Sequence, residues 1–215
     1  MIERSRILVI AATDREADCF RGAGLSVMVS GVGRTNAAVA TTLAVVGRKN
    51  PPLVISAGIA GSLTGGENTP AIGSLVIGSA ACYAEEGLLT SEGFTSIAEM
   101  GFPVATFADG NSIPADPGLF EALRRLFPGA ATGPIATVAT CSGTDELAAG
   151  IALRTGAIAE AMEGAAVLHA ARLLGARSVE LRSISNRTGN RDRQDWRLPE
   201  AFAALETAAA VLSSI

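Results

Sequence analysis

Short β-branched runs alternate along the chain with polar or glycine-containing turns and longer segments of helical spacing. Ile7-Leu8-Val9-Ile10-Ala11-Ala12 is continuously apolar, the pattern of a strand buried on both faces. It ends at Thr13-Asp14-Arg15-Glu16, where Thr13 or Asp14 is placed to cap a short helix reaching Arg21, with Glu16 in its first turn. Leu25 to Ser30 reads as a second strand, closed by Gly31-Val32-Gly33, and Thr35 to Val46 as a helix lying on the sheet. After Pro51-Pro52, a strand over Leu53 to Ala57 runs into Gly58-Ile59-Ala60-Gly61, whose glycines let the backbone approach a ligand. Gly65 to Pro70 reads as a turn and Ser74 to Ser79 as a strand.

From Cys82 to Pro117 the periodicity weakens, which predicts irregular structure or short strands suited to a lid or an oligomer contact. Order returns with a helix from Pro117 stopped at Pro128-Gly129, a strand over Ile135 to Thr140 and a helix from Asp145 to Arg154. A short apolar piece, Ala157 to Ala161, precedes a helix from Glu163 to Leu174. An alternating strand from Val179 then ends at Ser185-Asn186, and a polar loop with Arg187, Arg191, Arg193 and the single Trp196 leads to a last helix over Pro199 to Leu212. This order predicts a single α/β domain over residues 1–215, with a mixed, mostly parallel central sheet flanked by helices.

Composition narrows the picture. Hydrophobic residues make up 48% and charged residues 18% of 215, a balance that points to a large core or a buried oligomer surface. The net charge of -4 gives no electrostatic footprint for nucleic acid or an anionic membrane. No stretch has the length and apolarity of a spanning helix, and the N-terminus lacks a signal-peptide pattern, so the expected setting is the cytoplasm. Cys19, Cys82 and Cys141 are dispersed and odd in number, and are expected to be reduced, buried structural thiols.

The chemistry-bearing residues are few. Gly31-Val32-Gly33-Arg34-Thr35-Asn36 lacks the third glycine of a dinucleotide fingerprint and reads as a tight strand-to-helix turn. His169, the only histidine, sits in an apolar helical run and is expected to pack there. One histidine and dispersed cysteines make no zinc constellation and no Ser-His-Asp triad; no metal or other cofactor is expected. Glu16, Glu163 and Asn186 stand out because each follows an apolar strand-like run, where open α/β sheets place ligands.

Four blocks carry a resemblance: Ile10 to Ala17, Ser30-Gly31-Val32-Gly33-Arg34, Ser56-Ala57-Gly58-Ile59-Ala60-Gly61, and Glu160-Ala161-Met162-Glu163-Gly164-Ala165-Ala166. With Arg182-Ser183-Ile184-Ser185-Asn186 in the place of an Arg-x-Ile-Ser-Asp motif, they resemble, in order and over Ile7 to Ala210, the nucleoside phosphorylase and nucleosidase superfamily. Asn in place of that Asp, the following Gly-Asn-Arg-Asp-Arg-Gln-Asp-Trp and the Met-Glu-Gly-Ala-Ala signature are most similar to its futalosine-hydrolysing branch, which serves menaquinone biosynthesis.

The resemblance implies a nucleoside phosphorylase-like fold, Glu16 as the base that activates water, Glu163 with Met162 at the ribose hydroxyls, and Asn186 at the purine. Backbone amides around Ile59, Ala60 and Gly61 are expected to help hold the substrate. An amide at 186 favours a 6-oxopurine, because it donates to O6 while its oxygen accepts from a protonated N7. Thr13-Asp14-Arg15-Glu16-Ala17 replaces the Gly-Asp-Pro-x-Arg of hexameric phosphorylases, which suits water over phosphate, although Arg15 and Arg34 remain possible anion ligands.

Arg191 and Arg193, with Trp196, are expected to meet the carboxylated aromatic tail of futalosine; solvated charges pairing with Asp192 and Asp195 are the alternative. The expected partner is a small nucleoside, and the family and composition suggest a homo-oligomer, a dimer or higher. Two other readings stay open: a methylthioadenosine/S-adenosylhomocysteine nucleosidase and a non-catalytic nucleoside-binding protein.

Overall fold

A computed structural model describes residues 3–63 and 69–215; of the turn expected over residues 65–70, residues 65–68 lie outside them. The apolar runs form the strands of an eight-stranded sheet: β1 (Ile7–Ala11), β2 (Ser26–Val29), β3 (Leu53–Ser62), β4 (Leu75–Tyr83), β7 (Ser112–Pro114), β8 (Ala131–Thr137), β9 (Ala159–Ala161) and β10 (Arg177–Arg187). The segments of helical period form α1 (Asp14–Arg21), α2 (Arg34–Val45), α3 (Pro117–Leu126), α4 (Asp145–Thr155), α5 (Gly164–Leu173) and α6 (Leu198–Ser213). The weak stretch after Cys82 contains β7 and a separate exposed hairpin, β5 (Gly87–Thr90) with β6 (Gly93–Ser96), in accord with the short strands expected there.

The expectation of a mostly parallel sheet requires correction. Strand β10 pairs with β4 as well as β3, and the path β10-β4-β8-β9-β3 returns to β10, closing a barrel-like ring from which β1 and β2 extend. The pairings β10–β4, β3–β9 and β4–β7 are antiparallel, and the sheet is mixed. Closure satisfies the backbone on both sides of strands that an open sheet would leave at an edge.

Alternate residues of the buried strands feed two cores. Ile7, Val9, Leu53, Ile55, Val179 and Leu181 pack with Phe20, Leu119, Leu123, Leu205 and Leu212, under α1, α3 and α6. Leu8, Ile10 and Val54 pack with Ala37, Val45, Ala165 and Leu168, under α2 and α5. Small helix residues facing the sheet let these layers approach closely. The ring encloses Ala60, Val76, Ile135, Ala159 and Ile184, and α4 covers Ala136 and Val138 at its end.

Two boundaries differ from expectation for local reasons. Strand β3 continues through Gly58-Ile59-Ala60-Gly61 to Ser62 instead of ending at Ala57, because β10 and β9 pair with it there. Strand β8 begins at Ala131 despite Gly133 and Pro134; the proline falls at the register irregularity between β8 and β4, where the ladder tolerates a missing donor.

Candidate active site

The C-terminal ends of β1, β3 and β10 open onto a cavity of about 610 Å³ that Glu16, Ile59, Ala60, Gly61, Met162, Glu163, Asn186 and Arg191 all line. That volume suits a ligand of drug-like size. The fold thus gathers every residue expected to hold or cleave the nucleoside except Arg193, which is exposed and outside the lining; the possible anion ligands Arg15 and Arg34 also lie outside it.

Glu16 reaches the cavity through the start of α1. Thr13 caps that helix in a capping box: its hydroxyl accepts from the Glu16 amide (3.3 Å) while its own amide and hydroxyl donate to Glu16 Oε2 (3.0 and 2.8 Å). The Ile59 amide donates to Oε1 (2.9 Å), so this amide aims the carboxylate and does not face the cavity as a free donor. Glu16 is 4% exposed. Gly58 makes the arrangement possible, since a Cβ there would collide with Glu16 Oε1 and come within 2.8 Å of Arg182 Nη1.

Glu163 stands at the N-terminus of α5, directly after β9, and is buried. Its Oε1 accepts from the Gly33 amide (3.0 Å), a use for the glycine turn that needs no dinucleotide. Its Oε2 lies 3.3 Å from Arg182 Nη2. Arg182 is 1% exposed and donates through Nε to Glu180 Oε1 (2.8 Å), with Ser56 Oγ and Ile59 O as further acceptors (3.3 and 3.4 Å). One buried guanidinium therefore joins Glu163, Glu180 and the backbone of the residue that aims Glu16. Burial pushes the Glu180 carboxyl up to about 7, opposed by Arg182 and reinforced by Glu163; its Oε2 has no hydrogen-bond partner among the described residues. The sequence reading assigned no role to Glu180 or Arg182. An antiparallel-type alternation ordinarily leaves one strand face wet, whereas here α5 covers the polar face of β10.

Asn186 is buried near the end of β10, after a bulge that follows Ile184. Its Nδ2 donates to the Arg187 carbonyl (3.0 Å) and its Oδ1 accepts from Ser185 Oγ (2.8 Å). The carbonyl fixes the amide's orientation, because a flipped amide would set two acceptors against each other. One Nδ2 hydrogen and one Oδ1 lone pair remain for a ligand.

The mouth of the cavity is built by the loop after β10. Asn190 and Asp145 exchange hydrogen bonds (3.0, 2.7 and 3.2 Å), tying the loop to the start of α4. Gln194 donates to Ser142 O and Gly189 O (3.1 and 2.8 Å) and accepts from Arg191 Nη1 and Trp196 Nε1 (3.0 and 3.1 Å). The Arg191 guanidinium lies over the Trp196 ring, 5.2 Å from its centroid. Asp195 pairs with Arg197 (2.7 Å), not with the arginines thought to be its alternative partners.

Other residues take the following places. Arg34 is held by Glu86 (2.6 Å) and Glu85 (3.9 Å), and Arg15 leans on Phe202 and Glu206; neither lines the cavity. His169 is half-buried against Tyr83 and Phe107, its imidazole pushed down by burial, as a packed histidine. Cys19 and Cys82 are buried as expected, but Cys141 is exposed, because it lies in the loop after β8 at the cavity wall. Glu160, also lining the cavity and 6% exposed, was given no role from the sequence; burial pushes its carboxyl up against two opposing hydrogen bonds from Ser142. No group of three or more His, Cys, Asp or Glu among the described residues is arranged to hold a metal ion.

Comparison with known proteins agrees with this geometry. The chain is 37% identical over 198 residues to futalosine hydrolase of Streptomyces coelicolor, covering 89% of this chain and 80% of that one. It is 38% identical over 193 residues to futalosine hydrolase of Thermus thermophilus, covering 87% and 80%. The fold matches 5'-methylthioadenosine/S-adenosylhomocysteine nucleosidase of Neisseria meningitidis with a TM-score of 0.76 at 23% identity, over 97% of this chain and 99% of that one. The model of the phosphorylase superfamily matches residues 20–215, and the chain belongs to that superfamily, in its futalosine hydrolase family.

Proposed function

We propose that the protein hydrolyses the N-glycosidic bond of futalosine, releasing hypoxanthine and dehypoxanthinyl futalosine for menaquinone biosynthesis. The observation that carries this reading is a buried carboxylate, Glu16, aimed at the cavity by three donors, in a site where neither Arg15 nor Arg34 faces the substrate. Water bound to Glu16 attacks C1′ of the ribose, passes its proton to the carboxylate, and the C1′–N9 bond breaks as positive charge builds on the sugar. Glu163, held by Gly33 and Arg182, accepts from the ribose hydroxyls with Met162 beneath the sugar. The base takes up a solvent proton at N7 as the C1′–N9 electron pair leaves with it, and Asn186 donates to O6 and accepts from that N7–H, which stabilises the departing base. Among the described residues the only cation in the cavity lining is Arg191, which sits at the mouth and not beside Glu16, a setting that favours water over phosphate.

At the mouth, Arg191 stacked on Trp196 receives the carboxylated aromatic tail, a charge and a ring face matched to the same feature of the substrate. Arg193 is left to solvent. Val39 and Leu43 on α2 and Val46 at its C-terminal cap form an exposed stripe, Leu43 with 70% exposure, which supports assembly of a homo-oligomer.

The test offers purified protein futalosine, inosine and methylthioadenosine in phosphate-free buffer and follows base release by chromatography. Hypoxanthine from futalosine is the expected result. Adenine from methylthioadenosine alone, no release from any of them, or a strict phosphate requirement would each overturn the proposal.

A further inference from the structure

Glu160 takes part in neither the Arg182 ion cluster nor any step so far described. Its two oxygens are held by one residue: the Ser142 amide donates to Oε1 (2.9 Å) and the Ser142 hydroxyl to Oε2 (2.6 Å). These bonds fix the carboxylate on the cavity wall yet leave each oxygen a free lone pair. No cation pairs with it among the described residues.

Its place in the sheet is informative. Glu160 on β9 registers with Gly61 on β3, and Gly61 registers with Asn186 on β10. The three residues form one row across adjacent strands, and side chains of such a row project from the same face of the sheet. At about 4.8 Å per strand, the Cα atoms of Asn186 and Glu160 stand roughly 10 Å apart. Gly61 puts no side chain between them, and a Cβ there would come within 2.7 Å of Thr188 Cγ2 and 3.4 Å of Asn186 Nδ2. The row leaves a gap with an amide on one side and a carboxylate on the other, both in the cavity lining, chemistry that fits a base held between them by its edges.

We infer that Glu160 is a second reader of the base, accepting the N1–H of a 6-oxopurine while Asn186 takes the O6 and N7 edge. This rests on the reading of the site as one that releases hypoxanthine. A 6-oxopurine carries hydrogen on N1, whereas adenine presents a lone pair there. An ionised carboxylate accepts only, so it attracts the first and repels the second. Asn186, held in one orientation by the Arg187 carbonyl, reads only the O6 and N7 edge, so the N1 position is left for Glu160 to read. Glu160 is a specificity-determining residue and takes no part in proton transfer.

The experiment measures binding of hypoxanthine, 1-methylhypoxanthine and adenine by calorimetry to the unaltered protein and to Glu160→Gln, beside futalosine hydrolysis by the unaltered protein. The expected result is a preference for hypoxanthine over the other two of about 10- to 100-fold, the size of a charge-assisted hydrogen bond. In Glu160→Gln, whose amide can donate to adenine N1, the hypoxanthine-to-adenine ratio should fall at least about tenfold. A purely structural role for Glu160 would weaken all bases together and leave that ratio alone. Equal binding of hypoxanthine and 1-methylhypoxanthine by the unaltered protein overturns the inference even where the variant fails to fold, as does absence of measurable base binding. Futalosine cleavage without an N1 preference sinks this inference alone; an N1 preference without futalosine cleavage sinks the substrate assignment and leaves Glu160 as the reader.

Discussion

Replacing Glu16 by Gln separates chemistry from architecture in one variant. Both carboxylate oxygens face backbone donors, Ile59 N–H at Oε1 and Thr13 N–H at Oε2. A glutamine has one acceptor oxygen, so whichever way its amide turns, an NH₂ group meets a buried N–H. An unmade hydrogen bond of this kind costs about 1–3 kcal/mol. For a chain of this size each kcal/mol lowers the melting temperature by roughly 2–4 °C. The catalytic loss is larger: a general base contributes roughly 10²- to 10⁴-fold, or about 3–5 kcal/mol of barrier. The expected outcome is a folded protein, slightly less stable by calorimetry, whose hypoxanthine release from saturating futalosine falls by at least about a hundredfold with little change in affinity for the free base. Retention of more than about a tenth of kcat would remove Glu16 from the role of base. An unchanged melting temperature would contradict the accounting of its three donors.

Two further outcomes follow from the same geometry. Arg191→Ala should raise KM for futalosine about tenfold and leave inosine, which lacks the tail, nearly unaffected, while Arg193→Ala changes neither; steady-state kinetics on both substrates decides, and equal effects of the two variants would refute the tail site. Glu180, pushed from 4.5 up to about 7 by burial, binds its proton more tightly folded than unfolded, so its contribution to stability is full below about 4.5 and lost as pH rises through 7. Melting curves across that window should show unaltered protein losing stability relative to Glu180→Gln as pH rises, and parallel curves would mean that Arg182 keeps Glu180 ionised throughout.

The fold was legible where one element's burial suffices to explain its sequence. The continuous run Ile7 to Ala12 and the cap at Thr13 gave β1 and α1 nearly at their observed bounds, because both signals are local. Closure of the sheet was not legible. It depends on β10 pairing with both β3 and β4, and nothing in Val179 to Arg187 distinguishes a strand with two partners from one at an edge. The same limit explains β3: Gly58 and Gly61 read as a strand end, yet neighbours on both sides extend the ladder through them, and their missing side chains serve Glu16 and the cavity floor.

The site divides along the same line. Glu16, Glu163 and Asn186 were visible because each is a polar group set at the end of an apolar run. Glu180 and Arg182 were visible only as an alternation, and an alternating strand reads as half solvated. Their burial under α5 changes what the pair does: the buried Arg182 guanidinium pairs with two carboxyl groups, Glu163 and Glu180, and it also reaches the carbonyl of Ile59, whose amide aims Glu16. Removing that guanidinium would strand buried carboxylates, a cost of about 3–5 kcal/mol where partners are wholly desolvated. The proposed base, Glu16, and the proposed ribose carboxylate, Glu163, are therefore tied through one side chain on the strand that carries Asn186. A small shift of β10 would move all three together, which is how a cavity assembled from distant parts of the chain keeps Glu16, Glu163 and Asn186 in register.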